Sequence, residues 1–144
     1  MHYCDTVWGY TTETNIKRID RLKHRAARII TGVYDYNVPC TELLAGLCIM
    51  PFKQKRDYNT ACLAYRCINE QSAPYLSTCF RNTTSHYNTR SNPSNVHIYK
   101  PKKELGRQSL YYNGPKIWNN IDDNIRNASS VGAFKKLYKA KYLH

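Results

Sequence analysis

Two adjacent carboxylates, Asp122-Asp123, are the residues of this sequence that most directly suggest a chemistry. Such a pair can hold Mg²⁺ for two-metal phosphoryl transfer. That site also needs a distant third carboxylate on a sheet, with the pair carried on a hairpin turn. Here the pair lies between Trp118-Asn119 and Ile125-Arg126, and nothing around it reads as a hairpin. Aspartate is also a common residue at a helix start, and that is the role expected of it here. The cysteines, at 4, 40, 48, 62, 67 and 79, form no C-x-x-C pair. Cys79 and His86 follow Cys62 and Cys67 only at wide gaps, so no zinc site is expected. There is no P-loop, no G-x-G-x-x-G and no local motif for a Cys–His nucleophile. The expectation is a chain with no catalytic site, metal or other cofactor of its own.

Charge is the stronger signal. Lys and Arg number 22 against 10 acids, a net charge of +12. The excess is uneven: +3 over residues 1–32, +2 over 33–99 and +7 over 100–144. A cation of this kind attracts polyanions, and the backbone of RNA or DNA is the expected partner. Tyr99 stands beside Lys100, Lys102 and Lys103, and Tyr111-Tyr112 follow Arg107. Tyrosines so placed suit base stacking next to phosphate contacts. They equally suit the interior of a leucine-poor chain. Leu, Ile, Val and Phe together make 28 of 144 residues, so 13 Tyr and two Trp must supply much of a marginal core.

The elements that position these residues are mainly helical, and no internal repeat occurs. The clearest helix spans about Asn15 to Ile30, with Thr14 or Asn15 as cap and Gly32 as the left-handed closing residue. Ile16, Ile19, Leu22, Ala26, Ile29 and Ile30 fall within one ~160° arc, expected to face the core. Lys17, Arg18, Arg21, His24, Arg25 and Arg28 occupy the opposite face over roughly 120°. A solvated face usually mixes signs. This one reads as a basic ridge that tracks phosphates.

Further along, Thr41 caps a short helix from Glu42 to Leu47, and a longer one runs from Phe52 to Asn69, its core side being Tyr58, Ala61, Cys62, Tyr65 and Ile68. Lys53, Lys55 and Arg56 crowd its first turn, where the helix dipole disfavours cations unless an anion sits there too. Pro74-Tyr75-Leu76 begins another short turn, and residues 81–95 read as an exposed loop. Strands are expected at Val96–Tyr99 and Ser109–Asn113, a small β element within 96–113. Gly114-Pro115 then reads as a turn. Ser129 or Ser130 caps a last helix from Val131 to Leu143, with Lys135, Lys136 and Lys139 on its basic side. The candidate binding residues of the C-terminal half are Lys100, Lys102, Lys103 and Arg107.

The whole chain reads as a single unit, in which 1–32 carries the basic helix, 33–80 is helical, 81–95 is loop and 96–144 is the basic C-terminal region. Met1-His2-Tyr3-Cys4-Asp5 is polar with no apolar segment behind it, so no secretion signal is expected. The longest stretch of low polarity, Leu43–Phe52, is far short of the ~20 residues that span a bilayer. No membrane partner is expected, the compartment is taken as intracellular (cytoplasm, nucleus or both), and the thiols are taken as reduced. The glycosylation patterns at Asn82-Thr83-Thr84 and Asn127-Ala128-Ser129 carry little meaning there.

Several segments in order resemble a known family. Tyr3-Cys4-Asp5-Thr6-Val7-Trp8-Gly9, followed by His24-Arg25-Ala26-Ala27-Arg28-Ile29-Ile30-Thr31-Gly32, resembles the end of the thumb region of LINE-type (non-LTR) retrotransposon reverse transcriptases, especially the jockey-like group. Glu42-Leu43-Leu44, Leu47, Met50-Pro51-Phe52 and Arg56 resemble the C-terminal segment of the same proteins. So do Ala73-Pro74-Tyr75-Leu76, Thr89-Arg90-Ser91, Ser109 with Tyr112 and Gly114, Ile117-Trp118-Asn119, Ile125-Arg126 and Phe134-Lys135. Where family members carry Leu-Pro after Trp-Asn, this chain has Ile121-Asp122. The resemblance implies a post-palm, end-of-thumb and tail segment, encoded by a 5′-truncated element. Its parent would be an RNA-directed DNA polymerase priming on nicked target DNA. The palm with its aromatic-x-Asp-Asp motif, and the endonuclease, are missing, and Mg²⁺ would belong only to that palm. The implied partners are RNA or DNA and the palm domain, if encoded upstream. The alternative is a structural buttress of the thumb, inert as a free chain.

Overall fold

Extended residues set where the helices begin. A computed structural model describes residues 4–81 and 94–142. Over these the chain forms α1 (Asp5–Trp8), α2 (Glu13–Thr31), α3 (Cys40–Gly46), α4 (Phe52–Ile68), α5 (Pro74–Ser77), a 3-10 turn (Thr78–Phe80), α6 (Glu104–Arg107), α7 (Leu110–Asn119), α8 (Asp123–Arg126) and α9 (Val131–Tyr142). Thr12, Pro39, Pro51, Ala73, Ser109 and Asp122 stand just ahead of helices with ψ between 132° and 156°. This is the backbone geometry of a helix N-cap. Gly32 closes α2 with φ of +69°, where a side chain would be strained. Ser130, rather than Ser129, caps α9: its Oγ accepts the Ala133 N–H at 3.2 Å. Thr14 and Asn15 lie inside α2, and Thr41 inside α3, so none of them is the cap expected of it.

The chain is mainly helical, with no sheet among the described residues. The expected β element is where the structure departs from the sequence pattern. Residues 110–113 are the first turn of α7, with the Asn113 N–H bonded to the Ser109 carbonyl at 3.1 Å. Gly114-Pro115 lies inside that helix rather than turning the chain. Gly114 is there for closeness: a Cβ would stand 2.9 Å from the Phe80 ring. The other expected strand, Val96–Tyr99, reduces to a single bridge position at Val96. The Asn119 amide takes the place of a neighbouring strand, accepting from the Val96 N–H at 2.9 Å and donating to its carbonyl at 2.8 Å.

The pivot is α4, which packs against α1, α2, α5, α7 and α9. α9 crosses it antiparallel, Tyr138 meeting Tyr58 (5.8 Å between ring centroids) and Phe134 meeting Tyr65 (4.6 Å). Trp118 of α7 stacks on Phe134 from the other side. The tyrosine tips are satisfied as burial demands: Tyr65 donates to the Ala128 carbonyl at 2.6 Å, and Tyr10 to Thr60 Oγ1 at 2.8 Å. Of the expected 81–95 loop, residues 82–93 lie outside the described residues, and with them Asn82-Thr83-Thr84, His86 and Thr89-Arg90-Ser91. Its flanks meet through a bond from the His97 N–H to the Arg81 carbonyl, 2.8 Å.

Candidate nucleic-acid interface

α2 is docked through a different side from the one its apolar pattern indicates. Ile16 and Ala27 are buried. Lys23, about 20° from Ile16 on the wheel, donates to the Met50 carbonyl at 3.1 Å and lies 5.6 Å from the Phe52 ring centroid. Leu22, Ile29 and Ile30 are instead 54%, 61% and 64% exposed, and Ala26 is exposed beside them. The cause is which neighbours exist. α3 and the N-terminal end of α4 cover the Ile16–Ala27 side, roughly a quarter turn from the centre of the apolar arc.

On the basic face the expected residues separate into two kinds. Lys17, Arg18, Arg21 and Arg25 are exposed, and none enters an ion pair among the described residues. Lys17, Arg21 and Arg25 follow each other at four-residue spacing, a row of charges about 6 Å apart along the axis. His24 is partly buried. Arg28 is held differently. Its guanidinium donates to the carbonyls of Asp35 (2.6 Å) and Val38 (3.1 Å) and lies 5.0 Å from the Tyr36 ring centroid, so it shapes the α2–α3 loop.

In the C-terminal half Lys100, Lys102, Lys103 and Arg107 are all exposed. Lys100 and Arg107 line one hollow of about 320 Å³ with Ile98, Pro101, Tyr112 and Lys116; Lys102 and Lys103 stand outside it. Arg107 reaches Glu104 at 3.6 Å, an exposed pair worth little against a phosphate. Tyr99 and Tyr111 are 62% and 52% exposed, open enough for stacking, while Tyr112 is partly covered and has Lys116 over its ring.

The sequence reading missed a third group of cations. A cleft of about 430 Å³ between α4 and α9 is lined by Lys55, Arg66, Lys135 and Lys139. Its signal was present in two halves, the cations at the start of α4 and the basic side of α9, which only the crossing of the two helices joins. Of that first-turn cluster, Lys53 pairs with Glu13 at 2.9 Å and holds the Glu13 carboxyl below its ordinary value. Arg56 is buried, bonded to the Gly9 carbonyl and to Asp57, each at 2.9 Å. Lys55 is left to the cleft.

Asp122 and Asp123 stand at the start of α8, the first as its N-cap residue. Asp122 is ion-paired with Lys141, and Asp123 with Arg126 at 3.5 Å. Cys62, Cys67 and Cys79 are buried, and burial pushes the Cys62 and Cys67 thiols up. Among the described residues no three of His, Cys, Asp and Glu gather closely enough to hold a metal ion. No helix among them is long and apolar enough to cross a membrane.

The segments that carry the family resemblance meet in space. Trp8 stacks on Phe52 at 5.4 Å, Asn59 donates to Asp5 at 2.7 Å, and Arg56 ties down Gly9. Comparison of the chain with protein-family models, with curated proteins and with solved structures finds no match.

Proposed function

We propose that this chain is a non-catalytic nucleic-acid-engaging module, the kind of segment that follows the palm in a non-LTR retrotransposon reverse transcriptase. One observation carries the reading: among the described residues Lys17, Arg18, Arg21 and Arg25 line up on α2 without an ion pair, while Glu13, Asp57, Glu104, Asp122 and Asp123 pair with other cations. An uncompensated row of this kind releases counterions when it meets a phosphate backbone. The four α2 cations alone contribute about −3.6 to the log–log salt slope on duplex DNA, and less on a single strand. The test is a fluorescence titration of labelled single-stranded RNA and duplex DNA at two ionic strengths. Arg21→Glu with Arg25→Glu keeps the fold, since both side chains are free, and removes about two units of the duplex slope. Unchanged affinity in this folded variant would overturn the reading.

The exposed Leu22–Ile30 stripe favours a second reading, in which α2 buttresses another domain and the free chain lacks that cover. Under this reading the charge reversals leave nucleic-acid affinity where it was.

A further inference from the structure

We infer that the cleft between α4 and α9 is a phosphate-binding site, separate from the α2 row and built from both helices. Lys55, Asn59, Cys62 and Arg66 follow one another at helical spacing along one face of α4, and Lys135 and Lys139 face them one turn apart on α9. The antiparallel crossing sets Lys139 opposite Lys55. Their ammonium groups lie 5.4 Å and 5.2 Å from the centroid of one ring, that of Tyr58. At the other end Arg66 and Lys135 act together with Lys55 on the Cys62 thiol, which also accepts the Tyr58 hydroxyl.

Among the described residues the lining contains no carboxylate. The nearby acids are already partnered: Asp57 is held by Arg56 at 2.9 Å, and Asp5, beside the lining residue Thr6, is buried and accepts from Asn59 of the lining at 2.7 Å. Four like charges converging on an open, polar cleft repel one another until an anion enters. Ammonium and guanidinium groups are the donors that phosphate oxygens take. Two cation pairs, spread over three turns of α4, suit a strand carrying successive phosphates better than a single ion. The phosphate could come from such a strand or from a small phosphorylated molecule. The inference does not depend on the α2 reading, because no cleft residue belongs to that face.

The test uses Cys62 as a reporter, since it lines the cleft. Iodoacetamide labelling of the full chain is followed peptide by peptide by mass spectrometry, with inorganic phosphate, a short single-stranded oligonucleotide, or chloride at matched ionic strength. Amide ¹H–¹⁵N shifts of Asn59 and Lys139 provide a second readout independent of thiol reactivity. Phosphate should slow labelling of Cys62 several-fold and leave exposed Cys48 unchanged, and Lys55→Ala with Lys139→Ala should abolish the protection. Should that pair fail to fold by circular dichroism, Lys135→Ala serves in its place, with weakened protection expected. Protection by the oligonucleotide at lower concentration than by phosphate assigns the site to a strand; equal or poorer protection assigns it to a small phosphate. If chloride protects equally well, or if neither anion changes labelling or shifts, there is no phosphate site. Protection of Cys62 with an unaltered salt slope in Arg21→Glu/Arg25→Glu would leave the cleft standing and remove the α2 row.

Discussion

α2 and α4 are the two long helices of this chain, 19 and 17 residues, and the packing treats them in opposite ways. α2 has the cleaner apolar stripe in sequence yet buries only Ile16 and Ala27 fully. α4 has a diffuse pattern yet buries nine residues, among them Arg56 and Thr60. An apolar stripe states that a face wants cover. It does not state that the same chain supplies it. α4 is surrounded by helices from both halves, so polar residues there are buried because each finds a partner. Among the described residues α2 is met chiefly from the side of α3 and the start of α4, and its best apolar residues remain outside.

The largest effect should come from the α4 side of this contrast. Phe134 is wholly buried against Tyr65, Trp118 and Tyr138. Phe134→Ala should cost about 3–5 kcal/mol, read as a shift of the urea midpoint with unchanged slope. Loss of less than about 1 kcal/mol would mean that α9 does not pack on α4 as described.

Alkaline pH probes the same region by another route. Burial pushes the phenols of Tyr58 and Tyr138 up to about 12, and that of Tyr10 higher still. A buried phenol that resists ionisation keeps its proton in the fold after the unfolded chain has lost it. The stability this represents is complete below about pH 10, the unfolded value, and is lost as pH rises toward 12. For Tyr58 and Tyr138 it amounts to at most about 3 kcal/mol each. Denaturant midpoints across this window, with tyrosinate absorbance recorded alongside, check it. Flat stability to pH 12 would contradict the buried tyrosine core.

Arg28 lies at the junction of the two regimes, on α2 but not part of its free face. Arg28→Ala leaves the Asp35 and Val38 carbonyls without their donor and should cost about 1–2 kcal/mol. The readout is faster amide exchange around residues 33–40, with no change there in Arg21→Glu. A drop in nucleic-acid affinity larger for Arg28→Ala than for Arg21→Ala would return Arg28 to the ligand face.

What the sequence made legible follows the same division. Helix positions were legible because Pro, Gly and Ser mark ends locally: Gly32, Pro39, Pro51 and Ser130 all do so where expected or within a few residues. The tyrosine core was legible from composition. The β element was not, because Leu110-Tyr111-Tyr112 satisfies strand propensity while the choice of helix is made at Ser109 and by the contact of Gly114 with Phe80. The loop contacts of Arg28 were not legible, because its wheel position matches Arg21 and only the returning loop distinguishes them. The α4–α9 cleft was invisible for the converse reason: Lys55 and Lys139 are 84 residues apart and meet on the ring of Tyr58, which lies one helical turn from Lys55 but far from Lys139 in sequence. Among the residues of the family resemblance, Phe52, Arg56, Asn119 and Arg126 help hold the frame. Arg126 alone bonds the carbonyls of Ile121 and Asn119 at 2.6 and 2.7 Å.

The smallest expected effect is the sharpest test of the comparison. Leu22→Ser and Ile29→Ser remove apolar bulk from a strongly patterned helix, and a core role would cost 2 kcal/mol or more each. At 54% and 61% exposure these side chains have little burial to lose, so each change should stay within about 0.5 kcal/mol. For Leu22→Ser, serine's lower helix propensity accounts for most of that. Sedimentation velocity on the parent and both variants completes the measurement. If the parent self-associates and the variants do not, the stripe is covered by a second copy of the chain. If either variant is destabilised by more than about 1 kcal/mol while the parent is monomeric, α2 packs through its apolar arc after all. In that case the α2–α3 arrangement, the role of Arg28 and the free row of Lys17, Arg21 and Arg25 would all have to be redrawn together. The three depend on one rotation of the helix about its axis, and a quarter turn exchanges the buried side for the exposed one.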